Sequence, residues 1–514
     1  MKFALPFRRL LLASCVLVAA APAFAANYPL ELVSPRAVNT SPATGYPAIS
    51  GQHRIYKAYP GLVYNIRAAV IGGAWPYTFS LSNAPSGMTI DSRTGTINWT
   101  NPQANAAPTI TVRDSEGATQ SSTWNITVTT EGFRFIDATN GRNASTNGCT
   151  SSCGTGTAQN PWRTISDMVS AGNTSGLITY FRAGTYRVTD LPRASVGSPW
   201  ERVEIAGAQR SVIWLAYPNE TPLIDFMFRA GGSEPGPMIR LTGSYVYIDG
   251  FETTNSHIMG FQVTSGPSDN YRTFRRLRMH DNSEPSANND GSNASFIMTT
   301  QNYGAWSNYM VVQDCEFYRA PVDPMMKIYS QRKLLVESNY WHDAWRGIEL
   351  KADIPQFTLR NNRFENFTHM AIGGNMDEGT TSGEINFNLV RQTSDLALDV
   401  NQNGTGRRID IYRNTFIGRV QVRNTDSADG PFRFYNNVIV SSDAGTPSGS
   451  HIYHSNVSDV SRITMTENLV GYPNQNIVTS SGALSSGYAQ YVGTRGYELG
   501  TEVRPRPPAQ LTAQ

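Results

Sequence analysis

Lys327 and Tyr329 stand two residues apart in PMMKIY, and Glu349 and Lys351 stand two apart in GIELKA. Alternate side chains of a strand share a face, so in strands each pair presents both groups on one side. The four groups suit β-elimination on a uronate. That reaction needs a cation or proton donor to neutralise the sugar carboxylate and acidify the C5 proton. It also needs a base for that proton and an acid for the leaving O4. A lysine serves as base when a like charge disfavours its ammonium form, the relation expected between Lys327 and Lys351, with Glu349 opposing it. Tyr329 is the expected proton donor or relay. Arg346 and Arg423 are expected to hold carboxylates bidentately. Asp399, Asn401, His451 and Tyr453 complete the expected substrate-binding strip.

A repeat brings these residues together. The template hydrophobic-x-x-Asn-x-hydrophobic is anchored at Ile248, Phe274, Val312, Val336, Leu359, Phe387, Ile411, Phe434 and Met465. Most intervals are 23–26 residues, and the longer ones read as loop insertions. Three residues after an anchor stand Asn339, Asn362, Asn414, Asn437 and Asn468. Asparagine suits a tight turn, because it tolerates left-handed backbone and its amide bonds backbone groups. A period near 24 with β-branched, alternating texture predicts a solenoid of parallel β-coils.

A second strand in each coil is aligned by its inward apolar pairs, Met326/Ile328, Ile348/Leu350, Met370/Ile372, Leu398/Val400 and Val420/Val422. The residues between and after them are expected to face out. Lys327 and Glu349 then share one column, and Tyr329 and Lys351 the next, with Ala371 and Gly373 leaving a dent beside them. Nearby loops add His342, Trp345 and His369. Coils lie about 4.8 Å apart, so this is a continuous polar strip suited to an acidic polysaccharide. Glu349 and Asp399 would be two coils, about 9–10 Å, apart, near the separation of an inverting hydrolase pair. Inverting glycoside hydrolysis is therefore the second reading, and a non-catalytic, glycan-binding adhesin the third.

The first 25 residues, MKFALPFRRLLLASCVLVAAAPAFA, hold a basic start, an apolar run and the small-x-small site Ala23-Phe24-Ala25. This predicts a signal peptide cleaved after Ala25 and a secreted or periplasmic bacterial protein. Residues 1–25 carry Lys2, Arg8 and Arg9 and no acid, leaving 39 of the 42 basic residues against 40 acidic ones. Near-neutral charge argues against a nucleic-acid partner. No later apolar run is long enough for a transmembrane segment, and the protein is expected to be a monomer. Cys149 and Cys153 are expected to staple a loop, and Cys315 to be a buried free thiol. Residues 26–131 have short alternating runs between turn residues, the pattern of a small β-sandwich. Residues 132–490 are assigned to the solenoid and 491–514 to a loose Pro-rich tail.

The run from Pro85 to Ile97 and the segment VRDSEG at 112–117 resemble the immunoglobulin-like and cadherin-like modules of bacterial surface and secreted proteins. That resemblance implies a spacer or accessory role. The segment NPWRTISDMVSAG and the strand ITYFRAGTYRV resemble the capping helix and first strand of right-handed parallel β-helix proteins typified by pectate lyases, alginate lyases and chondroitinase B. The implied fold is all-β, a right-handed parallel β-helix preceded by a small β-sandwich, and the implied activity is that of a polysaccharide lyase. The alginate lyase and chondroitinase B family places a catalytic lysine on one coil and an arginine on the next, near a calcium ion held by acids. Here Lys327 is followed by Lys351 at the arginine's place. The family's Glu-x-Glu and Arg-His-Gly runs are absent, as is the pectate lyase Trp-x-Asp-His run. Calcium remains an implication of the resemblance alone. Asn424-Thr425-Asp426 matches the Asn-Thr-Asp motif of polygalacturonases, whose Asp-Asp pair and Gly-His-Gly run are missing.

Overall fold

The computed structural model describes residues 28–171, 177–188, 194–196, 200–204, 212–226, 238–256, 259–282, 295–321, 323–375, 379–401 and 408–497. The signal peptide read at residues 1–25 and the tail beyond residue 497 lie outside them. Residues 491–497 of the expected loose tail are tied down: the Gly496 amide donates to the Asn436 carbonyl at 2.8 Å and Arg495 pairs with Glu467 at 3.2 Å. Among the described residues no helix is long and apolar enough to cross a membrane. Cys149 and Cys153 form a disulfide and Cys315 is a buried free cysteine.

From Phe133 the chain winds into a right-handed parallel β-helix. The first strand of each coil joins a 12-stranded parallel sheet running from Phe133–Ile136 to Ile463–Thr466. The second and third strands form an 18-stranded sheet and merge in Tyr340–Ala352, Arg363–Asn375, Leu389–Asn401 and Thr415–Thr425. The short helix Ile165–Ser170 is opened by a capping box between Thr164 and Asp167, which satisfies two of its otherwise unpaired amides.

Burial explains the period. Ile248, Phe274, Val312, Val336, Leu359, Ile385, Ile411 and Phe434 pair in register and are all buried in one apolar cluster. Ile385 replaces the expected anchor Phe387. The shift moves the corner residue of that coil from Val390 to Asn388, so six asparagines line the corner. From Asn339 through Asn362, Asn388, Asn414 and Asn437 to Asn468, each side-chain Nδ2 donates to the next Oδ1 at 2.9–3.0 Å. Each Oδ1 also accepts the backbone N–H of the preceding asparagine. Buried amides are tolerated only when satisfied in this way. Phe387 instead takes left-handed backbone and packs its ring 4.4 Å from that of Trp75.

The two three-stranded sheets of the N-terminal unit are antiparallel, with Tyr64–Arg67, Thr96–Trp99 and Met88–Ile90 in one and Thr78–Ser82, Thr109–Arg113 and Thr119–Thr123 in the other. The unit packs directly on the β-helix. Its core, including Leu32, Ile66 and Trp99, is continuous with Tyr271, Tyr309, Val311 and Leu335 on the outer face of the 12-stranded sheet. Glu337 sits in this interface, 3.1 Å from Arg67 and 3.2 Å from Arg360. Arg360 also donates to the Tyr77 hydroxyl at 2.6 Å and the Val70 carbonyl at 2.7 Å. Burial pushes the Glu337 carboxyl up, but Arg360 and Arg67 outweigh it and hold it below the usual carboxylate range.

Two outcomes follow from this packing. Asn388→Ala orphans the Asn362 backbone N–H and takes one partner each from Asn362 Nδ2 and Asn414 Oδ1, so it should cost about 1–3 kcal/mol in denaturant unfolding; an unchanged midpoint contradicts the ladder. Arg67→Ala breaks a buried pair and should cost about 3–5 kcal/mol. The Glu337 contribution is fully present above its unfolded pKa and is lost as pH falls through its lowered folded value. The Arg67→Ala deficit should therefore shrink in acid, and a pH-independent deficit counts against the pairing.

Candidate active site

The third strands carry the site, and their register corrects the expected alignment. Lys327 pairs with Glu349, Glu349 with Gly373, Gly373 with Asp399, Asp399 with Gln421 and Gln421 with Tyr453. The inward partners of Ile348 and Leu398 include Ile372, while Ala371 lies inside the core cluster. The cause is a register shift between Ala344 and Arg346 where the second and third strands merge. Tyr329 pairs with Ala352, not Lys351, because the register shifts again after Ile328. Lys351 is thus the extra, unpaired residue of a bulge, a feature that re-aims a side chain.

The column reads as charge, counter-charge, gap, charge, counter-charge. Lys327 Nζ lies 3.7 Å from Glu349 Oε2, and both side chains are buried. Arg423 grips Asp399 with Nε at 3.0 Å from Oδ1 and Nη2 at 2.8 Å from Oδ2, and that carboxylate raises the arginine's pKa. Gln421 donates to Asp399 Oδ1 at 2.9 Å. Gly373 and Gly374 make the gap. A Cβ at Gly373 would stand 2.8 Å from Asp399 Cβ, and one at Gly374 would stand 2.6 Å from Glu349 Cγ. Beside the column, Asn424 Nδ2 donates to Asn401 Oδ1 at 2.9 Å, and Asn456 continues the line at 3.0 Å.

Beside this column, Lys351 and Arg346 have no carboxylate partner among the described residues. Lys351 is half-buried on its bulge. Arg346 lies over the Trp345 ring at 3.9 Å with its Nε buried and unbonded. Trp345 stacks beside His369 at 5.2 Å, and His369 Nδ1 is 2.7 Å from Asp395. At the far end, Tyr453 faces out under the Arg419 guanidinium at 4.2 Å. His451 does not join the strip: it is buried against the edge of Tyr472 at 4.7 Å, immediately before its strand begins.

A second column, on the second strands, was not anticipated. His280, Tyr318 and His342 stack at 4.9 and 5.0 Å. His280 lies 2.6 Å from Asp281 and 2.8 Å from Glu252, and His342 lies 2.7 Å from Asp343 and 3.3 Å from Glu316. Burial lowers the His342 pKa, but bonds to Glu316 and Asp343 outweigh it and raise it overall. The signal was present: positions five, six and seven after successive anchors read Met279-His280-Asp281, Phe317-Tyr318-Arg319 and Trp341-His342-Asp343. At the following corner, Asn255, Asp281, Arg319, Pro321 and Asp343 line an open pocket of about 500 Å³.

Calcium does not fit this donor set. It takes six to eight oxygen ligands, yet both Asp399 oxygens are engaged by Arg423 and Gln421, and Glu349 faces Lys327. Among the described residues no group of three or more His, Cys, Asp or Glu side chains is placed to hold a metal ion.

No curated protein matches the chain. Solved structures similar to it include a pectate lyase, Pel9A, 14% identical over 69% of this chain and 81% of that one, at a TM-score of 0.40. The family 28 exopolygalacturonase of Yersinia enterocolitica is 10% identical over 80% of this chain and 97% of that one, at 0.32. The catalytic domain of a GH87 alpha-1,3-glucanase is 9% identical over 80% and 86%, at 0.24. Residues 42–129 match the family model described as "Putative Ig domain". The chain therefore joins an immunoglobulin-like N-terminal unit to a parallel β-helix.

Proposed function

We propose that the protein is an exported polysaccharide lyase that cleaves a uronate-containing glycan by β-elimination on the third-strand face. The observation that carries this reading is the charge balance of the site. Lys327 is matched by Glu349 and Arg423 by Asp399, whereas Lys351 and Arg346 lack a carboxylate partner among the described residues. Cations left over in a groove suit an anionic substrate. Arg346 neutralises the sugar carboxylate, which acidifies the C5 proton. Lys351 takes that proton, the C4–C5 double bond forms as the C4–O4 bond breaks, and Tyr329 protonates the departing O4. Lys327 moves from the expected base to the group that pins Glu349. Asp399, Asn401 and Arg423 bind neighbouring sugars from fixed positions.

One observation favours a second reading. Glu349 and Asp399 face each other across the side-chain-free gap at Gly373, two coils or about 9–10 Å apart. That separation suits an inverting pair.

Incubation of the mature protein with polyuronates separates the readings. The lyase produces ultraviolet absorbance from the unsaturated sugar in step with new reducing ends. Lys351→Ala should lower kcat about 100- to 10,000-fold, Arg346→Ala should lower it about 100- to 1,000-fold, and Arg423→Ala should act mainly on KM. Reducing ends without absorbance would transfer the assignment to hydrolysis, with Asp399→Asn as the fatal change. Retained glycan binding with neither signal would make the face an adhesin.

A further inference from the structure

The pocket lined by Asn255, Asp281, Arg319, Pro321 and Asp343 lies beside the charged column, not along it. It shares two coils with the column: Pro324 pairs with Arg346, and Lys327 with Glu349. Asp343 precedes Arg346 by three residues and Pro321 precedes Lys327 by six, so the pocket lies at most about 10 Å and 20 Å from them, the reach of an extended chain. A glycan following the column from coil to coil passes this pocket at its side. Only a group branching from that glycan enters it.

The lining selects the chemistry of that branch. Arg319 holds Asp281 with Nη2 at 2.6 Å from Oδ2 and lies over the Tyr318 ring at 4.5 Å. Its charge is therefore already matched. Asp343 is oriented by His342 Nδ1 at 2.7 Å and by Asn366 Nδ2 at 3.1 Å. A uronate entering here would meet two carboxylates and one paired guanidinium. A neutral sugar would meet fixed acceptors and donors for its hydroxyls, at no electrostatic cost. The volume, about 500 Å³, is within the range of small-ligand sites.

We infer that this pocket binds a neutral branch sugar, so that the substrate is a branched acidic heteropolysaccharide and not a linear polyuronate. The inference rests on the reading of the third-strand face as the cleavage site. It also assigns Arg319 and Asp343 as specificity residues that do not touch the reacting bond.

The test compares kcat/KM on a branched acidic heteropolysaccharide with that on the same polymer debranched by mild acid. The intact protein should prefer the branched polymer about 10-fold, the discrimination expected from one or two hydrogen bonds to charged groups. In Asp343→Asn, which keeps the shape of the side chain, and in Arg319→Ala the ratio should fall to about 1. Equal rates on both polymers, or a ratio that neither variant moves, would overturn the inference while leaving the cleavage reading intact. Calorimetry with the neutral oligosaccharides released in debranching gives a readout independent of turnover. Binding that Arg319→Ala abolishes, in a protein that cleaves neither polymer, would support the pocket and defeat the cleavage reading.

Discussion

Coil-to-coil register, pinned by a line of asparagine amides inside one corner, is the constraint on which every outward side chain depends. A slip of one residue turns a strand's whole outer set inward. The six amides from Asn339 to Asn468 resist that slip, because from Asn362 onward each Oδ1 serves two donors and a shift would take both away. The ladder spans the coils that carry Glu349, Gly373, Asp399 and Gln421. The spacing of those groups along the groove is thus set from inside the core.

The two faces of the β-helix use charge in opposite ways. Beneath the immunoglobulin-like unit, Arg67 and Arg360 are matched by Glu337 and Asp314 and leave a closed interface. On the third-strand face the pairs Lys327–Glu349 and Asp399–Arg423 are also closed, but Arg346 and Lys351 are left over. Buried ion pairs contribute little net stability relative to apolar packing, so their use here is positional. They hold a bare glycine gap between two fixed carboxylates and leave the unmatched cations around it.

Much of this was legible in the sequence because burial imposes a period. Val312, Val336, Leu359 and Ile411 stand where the repeat placed them, and Lys327 and Glu349 share the expected column. The errors have local causes. Phe387 puts Val390 at the asparagine place of the template, whereas Ile385 puts Asn388 there and Val390 two residues on, so the correct register was already written in the sequence and the amide contacts of Asn388 agree with it. The inward turn of Ala371 arises where two strands merge and the bulge at Lys351 arises at the end of its strand, and alternation along one strand reveals neither. The docking of the N-terminal unit was invisible because Arg67, Glu337 and Arg360 read as solvated surface until a partner covers them. The His280–Tyr318–His342 stack was missed because its members are spaced by whole coils.

The most direct test of the central claim is the structure of the Lys351→Ala protein with an oligouronate bound. The account predicts sugars running along the third-strand column, with one carboxylate on Arg346 and the C5 hydrogen of that sugar facing the space vacated by the Lys351 amine. An oligouronate bound on another face, or one crossing the column with no carboxylate near Arg346, would contradict it.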